Sequence, residues 1–283
     1  MARLPWIAIF LAMPAAWLSA VRWLSLALLA IGYAAAAAGG LLGLPALLPI
    51  ALLLVAAYGL FQQRDLRLQI LWHAVFVVIA IGLLLHLLPG FHNPRVIGPE
   101  RFTPDAVPFT MYLNLDKPLV GFWLLLACPW IAPRLGWIPS LKAGVAGLVL
   151  TAAACLGVAL LLGMVTWAPK WPESGWLWLA NNLFLVTFAE EALFRGYIQA
   201  GLGRLLKRRP YGEGVALVFA SLLFGAAHAG GGWEWVVLGS VAGLGYGLAY
   251  RAGGLQASIL AHVGLNLVHF SLFTYPALQL PAP

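Results

Sequence analysis

The chain has 283 residues, of which 63% are hydrophobic and 9% charged, with a formal net charge of +7 and a mean hydropathy of +0.92. Too few polar side chains exist to cover a water-soluble surface, so a soluble domain is excluded and a polytopic membrane protein is expected. Nucleic-acid binding is not expected either, because the basic residues are scattered over loops while the aromatic residues lie mostly in apolar segments.

Apolar runs occupy residues 5–20, 23–39, 41–61, 69–90, 119–137, 143–168, 176–203, 215–230, 233–250 and 255–275. Their Leu/Ala-rich composition without period-2 alternation points to helices rather than barrel strands, giving an all-α transmembrane bundle of about eight to ten membrane helices. The first run is short and contains Pro14, with Arg3 before it and Leu18-Ser19-Ala20 after it. Further apolar segments follow at once, so it reads as an anchor or interfacial helix rather than a cleaved signal. The segment His92 to Lys117 carries Pro94, Pro99, Pro104 and Pro108 and is expected to form an ordered external loop or a re-entrant cap. His73 and His86 fall in one apolar run, where they are expected to satisfy local contacts. Residues 1–140 read as N-terminal membrane helices and an external loop, and 141–283 as a second helical core.

Basic residues set the orientation. With Arg204, Lys207, Arg208 and Arg209 in the cytoplasm, Arg64, Arg67, Arg134 and Lys142 fall on the same side. Arg95, Arg101, Lys117 and Lys170 fall outside, accompanied by Glu100, Asp105, Asp116 and Glu173. Cys128 and Cys155 both lie in apolar runs and read as core residues, away from any motif.

Ionisable side chains in such a chain must pair or do work. Three clusters stand out: Glu190, Glu191 and Arg195 in AEEALFRG, Phe224 and His228 in FGAAH, and His262 and Asn266 in HVGLN. Glu191 and Arg195, four apart, can pair across one helical turn. Glu190 has Val186, Thr187, Leu193 and Phe194 at its helical neighbour positions, and so no local cation. Such a carboxylate is suited to act as a general base. Ser258 and His269 extend the polar face of His262 and Asn266, while Asn181, Asn182 and Thr187 could help hydrate the site. Counting along straight helices brings the three clusters to one depth. A carboxylate to take a proton from water, an imidazole to hold that water and a His/Asn pair to stabilise an oxyanion are the parts of amide hydrolysis. The same atoms offer a second arrangement, zinc held by Glu190, His228 and His262 with a water in the fourth position, although HExxH is absent. Gly239, Gly243 and Gly247 form a small-residue stripe that reads as close helix packing.

The pattern EExxxR, then FxxxH, then HxxxN resembles the CPBP family of intramembrane endopeptidases, which includes type II CAAX prenyl proteases, bacteriocin-processing enzymes and related immunity proteins. The resemblance spans roughly residues 176–275. It implies a water-filled cavity within a helical bundle, with Glu190 activating water, His228 helping to hold it, His262 and Asn266 stabilising the oxyanion, and Glu191, Arg195 and Phe224 in support. No cofactor is expected, with zinc as the alternative. The implied partners are the lipid bilayer and a membrane-associated protein or peptide substrate, and the implied location is a prokaryotic cytoplasmic membrane. Two other readings compete: a non-catalytic scaffold or immunity protein on the same fold, and a proton-coupled transporter, which the lack of paired broken helices disfavours.

Overall fold

The computed structural model describes residues 3–17, 22–62, 65–131 and 136–279. The Leu18-Ser19-Ala20 stretch, Arg64 and Arg134 lie outside the described residues. The protein is mostly helical. Leu44–Gln62, Leu66–Leu84, Trp137–Leu161 and Trp233–Leu272 are long and apolar enough to cross a bilayer, and Leu4–Trp17, Arg22–Ala38, Lys117–Ala127 and Gly212–Ala226 are shorter apolar helices. Side chains such as Leu54, Val78, Leu150 and Leu161 are exposed, as a lipid-facing surface requires.

The chain packs into two compact units. The first comprises 1–94, 112–132 and 184–189, and the second 95–111, 133–183 and 190–283. In the first unit, α1 (Leu4–Trp17), α2 (Arg22–Ala38), α3 (Leu47–Gln62), α4 (Leu66–Leu84) and α5 (Lys117–Ala127) are joined by polar contacts that replace water. Ser25 Oγ donates to Ala12 O at 2.8 Å and Trp123 Nε1 to Leu53 O at 2.7 Å. Trp123 also stacks on Phe76, with ring centroids 3.9 Å apart. Asp65 starts α4 by accepting from Arg67 N, and Asp116 starts α5 by accepting from Lys117 N. His86 lies just past the end of α4, at φ 56°, and its Nδ1 meets buried Asp116 at 2.5 Å. His73 remains inside α4, its ring near that of Trp130.

The second unit is built on α6 (Trp137–Leu161), α7 (Gly175–Asn181), the end of α8 (Phe188–Glu191), α9 (Ala200–Leu205), α10 (Gly212–Ala226) and α11 (Trp233–Leu272). The loop expected from His92 to Lys117 is ordered: β1 (Arg95–Glu100) and β2 (Phe109–Tyr112) pair as a two-stranded sheet. Ile97 and Met111 from these strands pack with Trp178 and Phe270, whose rings stack at 3.9 Å. The segment after α6 and the tail after α11 are laced to each other and to the loop between the strands. Thr274 N donates to Thr166 O, Lys170 N to Ser271 O, and Val107 N to Ala277 O. Together they form a cap over one end of this unit.

The cap contains a titrating group. Burial pushes Lys170 down from 10.5 to about 8, partly opposed by the Asp105 carboxylate, while Nζ donates to Phe273 O. In the unfolded chain this lysine keeps its proton up to about 10.5, so between about 8 and 10.5 the unfolded state binds more protons and stability rises with pH. Below about 8 both states are charged and the contribution is flat. Thermal unfolding in detergent should show this rise in the wild type and lose it in Lys170→Met; an unchanged pH dependence in the variant would remove Lys170 as its source.

Several expected boundaries change: the run 69–90 is helical only to Leu84, 119–137 is α-helical only to Ala127 and 143–168 only to Leu161, and two further changes shape the site. The run 215–230 is helical only to Ala226, and His228 sits beyond the helix end, where the glycines at 230–232 and the positive φ of Gly232 (104°) cannot continue it. Residues 233–250 and 255–275, expected as separate helices, join in α11 through one non-helical residue, Gly254 (φ 74°, ψ −168°). Tyr246 and His262 lie 16 residues apart, a distance of about 24 Å along a straight helix, yet their ring centroids are 4.4 Å apart. α11 therefore folds back sharply at Gly254, with arms 233–253 and 255–272. That backbone region is open essentially only to glycine. Gly254→Ala should cost about 1–3 kcal/mol, read as a lowered unfolding midpoint; an unchanged midpoint would contradict the reversal.

The glycine stripe packs as its spacing suggests. A Cβ at Gly239 would lie 3.1 Å from Gly225 Cα, one at Gly243 2.9 Å from Ser221 Cα, and one at Gly247 2.3 Å from Leu217 Cδ1. Every fourth residue of the first arm of α11 thus meets every fourth residue of α10, and this close approach brings the end of α10 to the second arm.

Candidate active site

The polar side chains converge in the second unit. Glu190 and Glu191 end a four-residue α-helical segment, α8 (Phe188–Glu191), flanked by π-helical turns at Asn182–Thr187 and Ala192–Gln199. Such widened turns recur at functional sites because they re-aim side chains without ending the helix.

The two adjacent carboxylates have different surroundings. Glu191 is fully buried; Oε2 accepts from Arg195 Nε at 3.2 Å, and Oε1 lies 2.9 Å from His262 Nδ1. A carboxylate only accepts, so Nδ1 carries the proton and Nε2 points away from Glu191. Glu190 keeps 23% of its side chain exposed, and its Oε2 is 3.9 Å from His262 Nε2, too long for a direct hydrogen bond. Glu191 is thus engaged on both oxygens, while Glu190 is left open to a water or a substrate.

Phe224 is the hub of the constellation. Its ring lies 5.5 Å from that of His262, edge to face, and 4.8 Å from that of His228. The Arg195 guanidinium stands 5.3 Å over the same ring. His228 Nδ1 is 2.8 Å from Phe224 O. A carbonyl only accepts, so Nδ1 is the protonated nitrogen and Nε2 is free to accept. Asn266 donates through Nδ2 to Asn182 Oδ1 at 2.8 Å, which leaves its second amide hydrogen unassigned to that bond.

A cavity of about 100 Å³ has Phe224, His228, His262 and Asn266 in its wall, while Glu190 and Glu191 stand behind His262 rather than among its lining residues. Liquid water takes about 30 Å³ per molecule, so the space suits a few waters. Met164, Val165 and Pro276 of the cap close one end, and Leu156, Ala159 and Leu238 make much of the rest apolar. Among the described residues no three His, Cys, Asp or Glu side chains are arranged to hold a metal ion. Glu190, His228 and His262, the set considered for zinc, are not grouped in that way in this arrangement.

The three clusters are joined by the contacts of Glu191 with His262 and of Arg195 with Phe224. Glu191 does more than neutralise Arg195: it also holds His262. Asn266 is tied to Asn182 rather than to His262. Sequence reasoning missed Tyr246, which stacks on His262 with the rings 15° apart. It also kept Cys155 away from the motifs, whereas Cys155 lines the same cavity from α6. His269, read as an extension of the polar stripe, is in the wall as well, its Nε2 3.3 Å from Thr274 O. Only the reversal at Gly254 could have flagged Tyr246, and nothing in the sequence marks which residues face each other across it.

No curated protein and no solved structure matches the chain. The apolar helices make it an integral membrane protein. Over residues 171–268, the segment that holds all three motifs, the chain is similar to the family model described as Rce1-like, type II CAAX prenyl endopeptidase.

Proposed function

We propose that the protein is a glutamate-dependent, metal-independent intramembrane endopeptidase that hydrolyses a peptide bond of a membrane-associated protein or peptide in a prokaryotic cytoplasmic membrane. The observation that carries this reading is the division of labour between neighbours: Glu191 is saturated by Arg195 and His262, while Glu190 stands open beside His262 Nε2. A water held by Glu190 and by the unprotonated Nε2 of His228 gives its proton to Glu190 as it attacks the scissile carbonyl. In this reading His262 Nε2, carrying a proton in the reacting state, donates to the oxyanion together with the second N–H of Asn266. Glu190 returns the proton to the leaving amine as the C–N bond breaks.

The test compares the termini of membrane proteins in cells carrying the wild-type chain or Glu190→Gln at equal levels. Termini that require Glu190 identify the substrate, and their formation by purified protein in the presence of a zinc chelator supports the metal-free route. Identical termini with a folded variant would favour the scaffold reading, and loss of cleavage in chelator would overturn the metal-free chemistry.

A further inference from the structure

The imidazole of His262 is constrained on every side that the reaction does not use. Glu191 Oε1 holds Nδ1 at 2.9 Å, and Phe224 meets the ring edge to face. The broad face is covered by Tyr246 at 4.4 Å and 15°, a parallel stack within the distance at which aromatic pairs attract. Tyr246 and His262 are both buried, and both line the cavity. They come from opposite arms of α11 and meet only because the chain reverses at Gly254.

We propose that Tyr246 is a positioning residue for peptide hydrolysis: with Glu191 at the ring edge, its aromatic face fixes the plane of His262 so that Nε2 points into the space beside Glu190. This rests on the peptidase reading above. Two constraints are needed because a single hydrogen bond at Nδ1 still lets the ring swing about that bond. A flat partner against the face removes the swing. The ring of Tyr246, rather than its hydroxyl, is therefore the operative group.

Tyr246→Met fills much of the same volume without an aromatic face, and Tyr246→Phe keeps the face. In purified full-length protein in lipid discs, Tyr246→Met should lower kcat about 10- to 100-fold, the scale of a small misplacement of a reacting group, with KM little changed. Tyr246→Phe should recover most of that loss. Tyr246→Leu gives a second ringless variant where Met does not fold. Nitrogen NMR of the histidine rings, recorded without substrate, should show the Nδ1–H of His262 ordered in wild type and Tyr246→Phe and broadened in the ringless variants. A folded ringless variant with wild-type kcat, or Phe as impaired as Met, overturns the proposal. If Glu190→Gln leaves cleavage intact, the peptidase reading itself fails, and the ring spectra still report whether Tyr246 holds His262.

Discussion

Glu190→Gln should lower the cleavage rate by about 10²- to 10⁴-fold, the usual contribution of a positioned general base, and leave the fold and substrate binding nearly intact. The amide keeps the size of the carboxylate but cannot take a proton from water. Stability should hold because Glu190 is partly exposed and its contact with His262 is 3.9 Å, longer than a hydrogen bond. The buried bonds from Glu191 to Arg195 and His262 remain. The loss should therefore fall on kcat, with KM within about twofold, since the missing step belongs to the transition state. Rates measured on purified wild type and variant in lipid discs decide the matter. A folded Glu190→Gln that retains kcat within a factor of a few would remove this residue from the chemistry. Glu190 and its neighbour Glu191 thus make a paired test, because the same substitution one residue later strikes a bond that holds the structure.

The helices and the three motifs were legible because each is local. Hydrophobic run length marks a span, and spacing of four puts Glu191 beside Arg195 or His262 near Asn266 on a helix face. The different surroundings of the two glutamates were also legible, since Arg195 stands four residues from Glu191 while Glu190 has no cation three or four residues away. What local periodicity could not reach were partners supplied from elsewhere in the chain. Nothing around Glu191 says that Oε1 is taken by a residue 71 positions away. Asn266 looked like the partner of His262 because both share a helix, yet its bond goes to Asn182, 84 positions earlier. Cys155 lies in an unremarkable apolar run and reaches the cavity only because α6 packs against both arms of α11. Gly147 shows how close this is: a Cβ there would meet Ala249 and Ala261, one from each arm, at 2.7 and 3.3 Å. The end of α10 was placed too late because the apolar count ignored the glycines at 230–232, which stop a helix whatever their hydropathy.

Arg195→Met should be the most destabilising single change at the site, at about 3–5 kcal/mol, the cost of leaving one member of a buried ion pair without its partner. Arg195 and Glu191 are both fully buried, and Nε donates to Oε2 at 3.2 Å. Methionine has a similar length and no charge, so packing is largely kept while the Glu191 carboxylate loses its cation. The pair itself is not an optimal one. Among the described residues both terminal nitrogens of Arg195 lack a hydrogen-bond partner, so the guanidinium uses little of its donor capacity. Removing both charges should therefore cost less than removing one: Glu191→Gln/Arg195→Met should recover a substantial part of the stability lost in Arg195→Met. Activity should not follow, because Gln at 191 no longer offers the charged acceptor that holds Nδ1 of His262. Denaturant unfolding of the two single variants and the double variant in detergent gives the coupling energy, and cleavage rates on the same samples give the catalytic loss. A double variant no more stable than Arg195→Met would mean that the two residues do not act as a pair. A stable double variant with full activity would mean that Glu191 does not orient His262. Recovery of stability without recovery of rate is the result expected if this buried pair is kept for the geometry of the imidazole rather than for the strength of the fold.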